Sequence, residues 1–184
     1  MKIATCSLES ISPYSQSIRL PEKPPKMTWD DFEKQNWRLR IHRNAEGQAV
    51  IPPMAFKRAL DTAASMLRMK VVGKKGSEYK KYFLSGVIVP EPLVLPIKVD
   101  DVAHEVLDLA PDGKRGGRGV FRWMPLFPSW SGVVQYFVVN DEIPKEVFEK
   151  HLAESGNFVG IGRFRPENGG YYGRFKVNEV KWSE

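Results

Sequence analysis

Sixteen residues near the end of the chain, GIGRFRPENGGYYGRF from Gly160 to Phe175, constrain its fold more than any other segment. Five of them are glycine, three arginine and two tyrosine. Glycine lets backbone approach backbone or a phosphate more closely than a Cβ would permit. Pro166 to Gly170 is turn chemistry, so the expectation is two strands, 158 to 164 and 171 to 180, joined across Arg165 to Gly170. Such a segment can be a structural hairpin whose glycines fit turns and bulges while its Tyr and Phe fill the core. It can also set Arg163, Arg165 and Arg174 against phosphates, with Tyr171 or Tyr172 stacked on a base.

Upstream, strand and helix periodicities alternate. Ala4, Cys6 and Leu8 interleave with Thr5 and Ser7 as in a short strand, and Pro13, Pro21, Pro24 and Pro25 then impose a loop. Thr28 with Asp31 three residues on is a capping pattern, predicting one or two helical turns from Trp29 to Gln35. Trp37, Leu39 and Ile41 alternate with Arg38, Arg40 and His42, which predicts a half-buried strand with its basic residues outward, closed by a turn at Ala45 to Gln48. After Ile51, Pro52 and Pro53, the spacing of Phe56, Leu60, Ala63 and Leu67 predicts a helix over 54 to 69. Gly73 to Gly76 ends it, and Tyr79 to Leu95 is expected to supply one or two strands limited by Pro90 and Pro92.

No period persists from Pro96 to Gly119, which reads as an extended excursion with a flexible basic tip at Asp112 to Gly119. A strand at Val133 to Asn140 and an amphipathic helix over 144 to 154, ended by Gly156, lead into the glycine-rich segment. At 184 residues the chain is near the roughly 150 of one domain, with 96 to 130 as an insertion within it. The order of elements fits an α+β domain with a predominantly antiparallel sheet.

Several function classes lose their footing. No run of eighteen apolar residues occurs and no signal-peptide core opens the chain, so no membrane partner is expected and the expected location is cytoplasmic. Cys6 is the single cysteine, which excludes an internal disulfide and a Cys-based zinc site. His42, His104 and His151 form no HxH, HxxxH or HExxH pair, and His151, among acidic neighbours, reads as a surface residue. No GxSxG elbow, Walker loop or dinucleotide fingerprint is present, and neither metal nor other cofactor is expected. Asp30 and Asp31 at a helix start are explained by capping, with holding a divalent cation or general-base work as the alternatives. The formal charge is +6, and its basic residues gather in Lys114, Arg115, Arg118 and Arg122 and again in Arg163, Arg165, Arg174 and Lys176, which points toward a polyanion.

The segment GIGRFRPENGGYYGRF resembles the C-terminal glycine-rich loop of the RAMP superfamily, RNA-binding proteins that form the backbones of CRISPR effector complexes. A second stretch, IPPMAFKRAL from Ile51 to Leu60, is similar to that family's Ile-Pro-Gly-Ser-Ser-Leu-Lys-Gly-Ala-Leu helix start, with Pro52, Lys57, Ala59 and Leu60 aligned and Pro53 and Arg58 in place of glycines. The resemblance implies a ferredoxin-like, RRM-like antiparallel sheet with helices on one face and an inserted basic arm. It also implies a protein that binds single-stranded RNA or DNA largely independently of sequence and assembles along the strand, while a chain short for a backbone subunit and without an assignable catalytic carboxylate loop points to a compact stand-alone or virus-encoded relative that does not cut it. The residues then expected at nucleic acid are Lys57, Arg58, Lys114, Arg115, Arg118, Arg122, Arg163, Arg165, Tyr171, Tyr172 and Arg174, with the Lys114 to Trp123 stretch as a gripping arm. Two other functions stay open: an interaction or inhibitor module acting on a CRISPR-type complex, and a ribonuclease on the same fold with Asp30, Asp31 or His42 as base.

Overall fold

The computed structural model describes residues 1 to 109 and 119 to 184. In chain order the elements are β1 (Lys2–Ser10), α1 (Trp29–Asn36), β2 (Gln48–Ile51), α2 (Pro53–Leu67), α3 (Lys80–Gly86), β3 (Val87–Ile88), β4 (Leu93–Lys98), β5 (Ala103–Leu109), β6 (Val120–Leu126), β7 (Ser131–Val138), α4 (Lys145–Glu154) and β8 (Phe175–Ser183). The main sheet is antiparallel with strand order β3-β7-β1-β8. Read as β1-α2-β3-β7-α4-β8, this is the ferredoxin-like arrangement, an α+β fold in which the first strand is central.

Alternation along the strands decides which face is covered. Ala4, Cys6 and Leu8 of β1 and Val134, Tyr136 and Val138 of β7 are buried, whereas Val133 and Gln135 on the other face are exposed. The buried face receives Phe56, Leu60 and Ala63 of α2 and Phe148 and Leu152 of α4. Phe56 lies edge-on to Phe175 at 6.2 Å and Phe148 edge-on to Tyr136 at 5.4 Å, so each helix is keyed to the sheet by an aromatic pair. Each such buried ring contributes about 1.5 to 3 kcal/mol of transfer free energy. Burial also pushes the Cys6 thiol up to about 12, which leaves it an inert apolar residue at the sheet's centre.

Helix α2 begins on Pro53, whose missing N–H costs nothing in a first turn, and stops where Arg68 turns left-handed at φ +48°. Two smaller sheets extend the core. β2 pairs with β4, and β5 with β6 in a long antiparallel hairpin from Ala103↔Leu126 to Leu109↔Val120.

Several expectations are corrected. Residues 37 to 40 form a 3-10 turn rather than a strand: side chains three apart share a side in that geometry, and Trp37 and Arg40 are both buried. Arg40 turns inward because both oxygens of the buried Glu33 carboxylate accept from it, at 2.8 and 2.9 Å. Residues 80 to 86 are helical rather than extended, and the buried Lys57 ammonium donates to the Phe83 and Leu84 carbonyls at 3.0 and 3.2 Å, near the C-terminal end of α3. The stretch after Pro96 is not without period, since β4 runs to Lys98 and β5 follows.

His151 is wholly buried, stacked on Phe83 at 4.4 Å, and its Nδ1–H donates to the Val147 carbonyl at 2.6 Å. Residues 158 to 164 are not a strand: α4 widens into a π turn over Ser155–Val159, and the chain stops being helical at Gly160, φ +72°, rather than at Gly156. Gly156 instead lies against β8, where a Cβ would overlap the Phe175 carbonyl oxygen.

Candidate nucleic-acid interface

The glycine-rich segment is a packed loop rather than a hairpin. Its own backbone closes it: Ile161 N–H donates to the Gly173 carbonyl at 3.0 Å, Gly170 N–H to Arg165 at 3.1 Å, and Tyr172 N–H to Phe164 at 2.9 Å. Other bonds tie it to the chain after β1, from Gly173 N–H to the Pro13 carbonyl at 2.7 Å and from Arg163 N–H to Ser15 at 3.0 Å. These approaches are possible only without side chains. A Cβ at Gly173 would overlap the Ile161 carbonyl oxygen, and one at Gly162 would meet Ser15 and Tyr14. Pro166–Asn168 forms a 3-10 turn that Gly169 ends at φ +75°, so the turn chemistry of 166 to 170 is realised inside the loop.

Between this loop and the first turns of α2 lies a cleft of about 590 Å³. Arg58, Met54 and Thr62 line it from α2, and Gly160 to Arg163 and Arg165 from the loop. Glu167 also faces it, and His42, Tyr14 and residues 16 to 18 line it from the start of the chain. Gln16 fixes that side, with its amide donating to the Val50 carbonyl at 2.7 Å and accepting from the His42 N–H at 2.7 Å. Desolvation lowers the His42 imidazole pKa from its ordinary value.

Of the residues expected at nucleic acid, Arg58, Arg163 and Arg165 meet at this cleft. Arg58 is exposed and has no ion-pair partner among the described residues. Arg165 is ion-paired with Glu167, donating to its carboxylate at 2.7 Å and to the Gly162 carbonyl at 3.2 Å, with its side chain 30% exposed. Arg163 is turned inward, ion-paired with Glu105 of β5 and donating to Ser15 Oγ at 3.1 Å. Tyr172 donates its hydroxyl to the same Glu105 at 2.8 Å, and burial, reinforced by that carboxylate, raises its pKa. Tyr171 stands 60% exposed beside it.

The remaining candidates are held elsewhere. Lys57 is paired with Asp61 and with the carbonyls of α3. Arg122 is paired with Glu33, and Arg174 donates to the Asn157 carbonyl. Lys114, Arg115 and Arg118, together with most of the expected basic tip, lie outside the described residues. Asp30 and Asp31 sit in the first turn of α1, where the Thr28 hydroxyl accepts from the Asp31 N–H at 3.1 Å and donates to its carboxylate at 2.6 Å. Sequence reasoning missed Glu105, which anchors the loop, and Gln16, which fixes the cleft's far side; neither belongs to a local pattern.

No family model and no curated protein matches the chain. Among solved structures it is similar, over 100% of its length, to a chain of the structure described as a cryo-EM structure of the Type III-B Cmr-beta bound to cognate target RNA, with a TM-score of 0.59 and 11% identity. The alignment spans 61% of that chain. At that identity the likeness is one of fold. No helix among the described residues is long and apolar enough to cross a membrane.

Proposed function

We propose that this chain is a RAMP-type protein that binds single-stranded nucleic acid in the cleft between α2 and the glycine-rich loop, as part of a CRISPR-type effector assembly. The observation that carries this reading is the juxtaposition of an exposed Arg58, without an ion-pair partner among the described residues, and a partly exposed Arg165 across a groove that the loop lines from Gly160 to Arg163. Phosphates fit such a groove because guanidinium groups grip them with paired N–H donors. Tyr171, exposed at the loop's edge, offers a face to a base. None of these contacts reads a base edge, so recognition is largely independent of sequence. The fold neighbour belongs to an RNA-bound complex, which favours RNA as the strand. Lys114, Arg115 and Arg118 form a second phosphate set on sequence grounds, and copies of the chain assemble along the strand.

Titration of labelled RNA and DNA oligonucleotides of matched sequence at several salt concentrations tests this. Removing one phosphate-binding charge lowers the slope of log affinity against log salt by about 0.7 for a single strand. Arg58→Ala with Arg165→Ala therefore flattens the slope by roughly 1.4 and weakens every sequence alike. Wild-type protein that binds neither strand, or a double variant that is folded and binds with unchanged slope, refutes the reading.

A further inference from the structure

Phe164 combines two features that packing does not explain. Its backbone is left-handed at φ +52°, a region that costs a bulky residue free energy, and its ring is 44% exposed. A residue kept for the core would be buried, and a residue kept for the turn would be glycine, as at Gly160, Gly162, Gly169 and Gly173 in the same loop.

The surroundings force the conformation. Gly170 is pressed against the Phe164 backbone so closely that a Cβ there would overlap its carbonyl. Tyr172 N–H holds that carbonyl from one side, and the preceding Arg163 N–H is fixed to Ser15. Strain maintained in this way is characteristic of residues presented to a ligand.

What the loop presents is aromatic. The Phe164 ring lies over the Arg163 guanidinium at 4.4 Å and edge-on to Tyr172 at 6.3 Å. Tyr171 lies edge-on to Tyr172 from its own side at 5.4 Å. Tyr172 is anchored through its hydroxyl to Glu105, so it serves as a fixed post carrying two exposed rings. The residues on either side of Phe164 in the chain, Arg163 and Arg165, both line the cleft.

We infer that Phe164, with Tyr171, is a stacking subsite for unpaired nucleobases, set beside the groove that holds the phosphates. This rests on the reading of the cleft given above. Rings meeting flat π-faces accept any base, and stacking releases no counterions, so the subsite contributes affinity without salt dependence.

The test compares Phe164→Leu, Phe164→Tyr and Phe164→Gly with wild type in the same oligonucleotide titration, beside thermal melts of the free proteins. Leu keeps the apolar bulk and loses the π-face, so affinity falls about 5- to 150-fold with the salt slope unchanged, the range expected for one stacked base. Tyr restores binding to within a few fold. Gly removes the ring and the backbone strain together, so this variant melts no lower than Phe164→Leu while binding as weakly. If wild type binds and Arg58→Ala flattens the slope, but Phe164→Leu binds like wild type, the stacking inference fails and the cleft reading stands. A Phe164→Gly variant that melts well below Phe164→Leu shows that the ring serves packing, and also overturns it. Wild type that binds no oligonucleotide removes both.

Discussion

Replacing Glu33 with glutamine keeps the side chain's shape and removes its charge, at the most enclosed ion cluster of the molecule's described residues. The Glu33 carboxylate is fully buried and accepts from Arg40, whose side chain is 8% exposed, and from Arg122, which is 24% exposed. Arg122 has a path to water once released. Arg40 has none, and its Nε already lacks a partner. Glu33→Gln therefore leaves one guanidinium buried and uncompensated, a loss of about 3 to 5 kcal/mol. With a urea dependence of about 2 kcal/mol per molar, the unfolding midpoint falls by roughly 1.5 to 2.5 M. Glu142→Gln is the internal comparison, because its pair with Lys74 is 46% exposed on both sides and an exposed pair contributes about 0 to 1 kcal/mol. Glu33→Met with Arg40→Leu removes both charges from the interior and recovers more than half of the loss. Urea unfolding followed by tryptophan fluorescence reads all three. If Glu33→Gln costs no more than Glu142→Gln, the cluster is not energetically buried and the reasoning fails.

Burial lowers the His151 pKa, so the unfolded chain binds its proton more readily than the folded one. Stability from this group is complete above the ordinary value of about 6.5 and is lost as pH falls through and below it. Unfolding midpoints measured between pH 7 and 5 should show that decline, and His151→Phe, which keeps an aromatic ring against Phe83, should flatten it. In the loop, Gly169 and Gly173 share a left-handed φ but differ in crowding: nothing lies within 4 Å of a Cβ at Gly169, whereas one at Gly173 would overlap the Ile161 carbonyl. Gly169→Ala should cost about 1 to 2 kcal/mol, the backbone effect alone. Gly173→Ala should cost clearly more in the same denaturation assay, and equal costs would show that the loop yields.

Where apolar residues recur with an unbroken period, the element and its buried face are legible in the chain's sequence. The alternation of Ala4, Cys6 and Leu8 and the helical spacing of Phe56, Leu60 and Ala63 each point to one face, and the structure buries those residues. Local pattern misleads where a polar side chain turns inward. It sets Arg40 and His151 outward because charge and imidazole ordinarily seek water, yet Glu33 gives the first a partner and Val147 with Phe83 encloses the second. In the glycine-rich segment the positions needing close approach are visible, but their partners are not. Pro13 and Ser15 lie some 150 residues earlier, so the segment, besides closing on its own backbone, is tied to the start of the chain instead of forming a two-stranded hairpin. Arg163 is legible as a basic residue at the site, and its commitment to Glu105 is not, because no local pattern links position 105 to 163.

The central place of β1 has a consequence for biosynthesis. Lys2 pairs with Val138, and Ile3 with both Phe137 and Ser183, so both hydrogen-bonding edges of β1 are occupied by strands that follow it by more than 120 residues, β7 and β8. Translation at about 5 to 20 residues per second leaves that strand without its second neighbour for roughly 10 to 35 s. During this interval no ribosome-bound intermediate can complete the sheet, and the nascent chain carries an open, β-prone segment whose backbone is free to pair with another chain. Completion of the sheet is consequently dominated by non-local closure and depends on keeping that one strand solitary until its neighbours emerge.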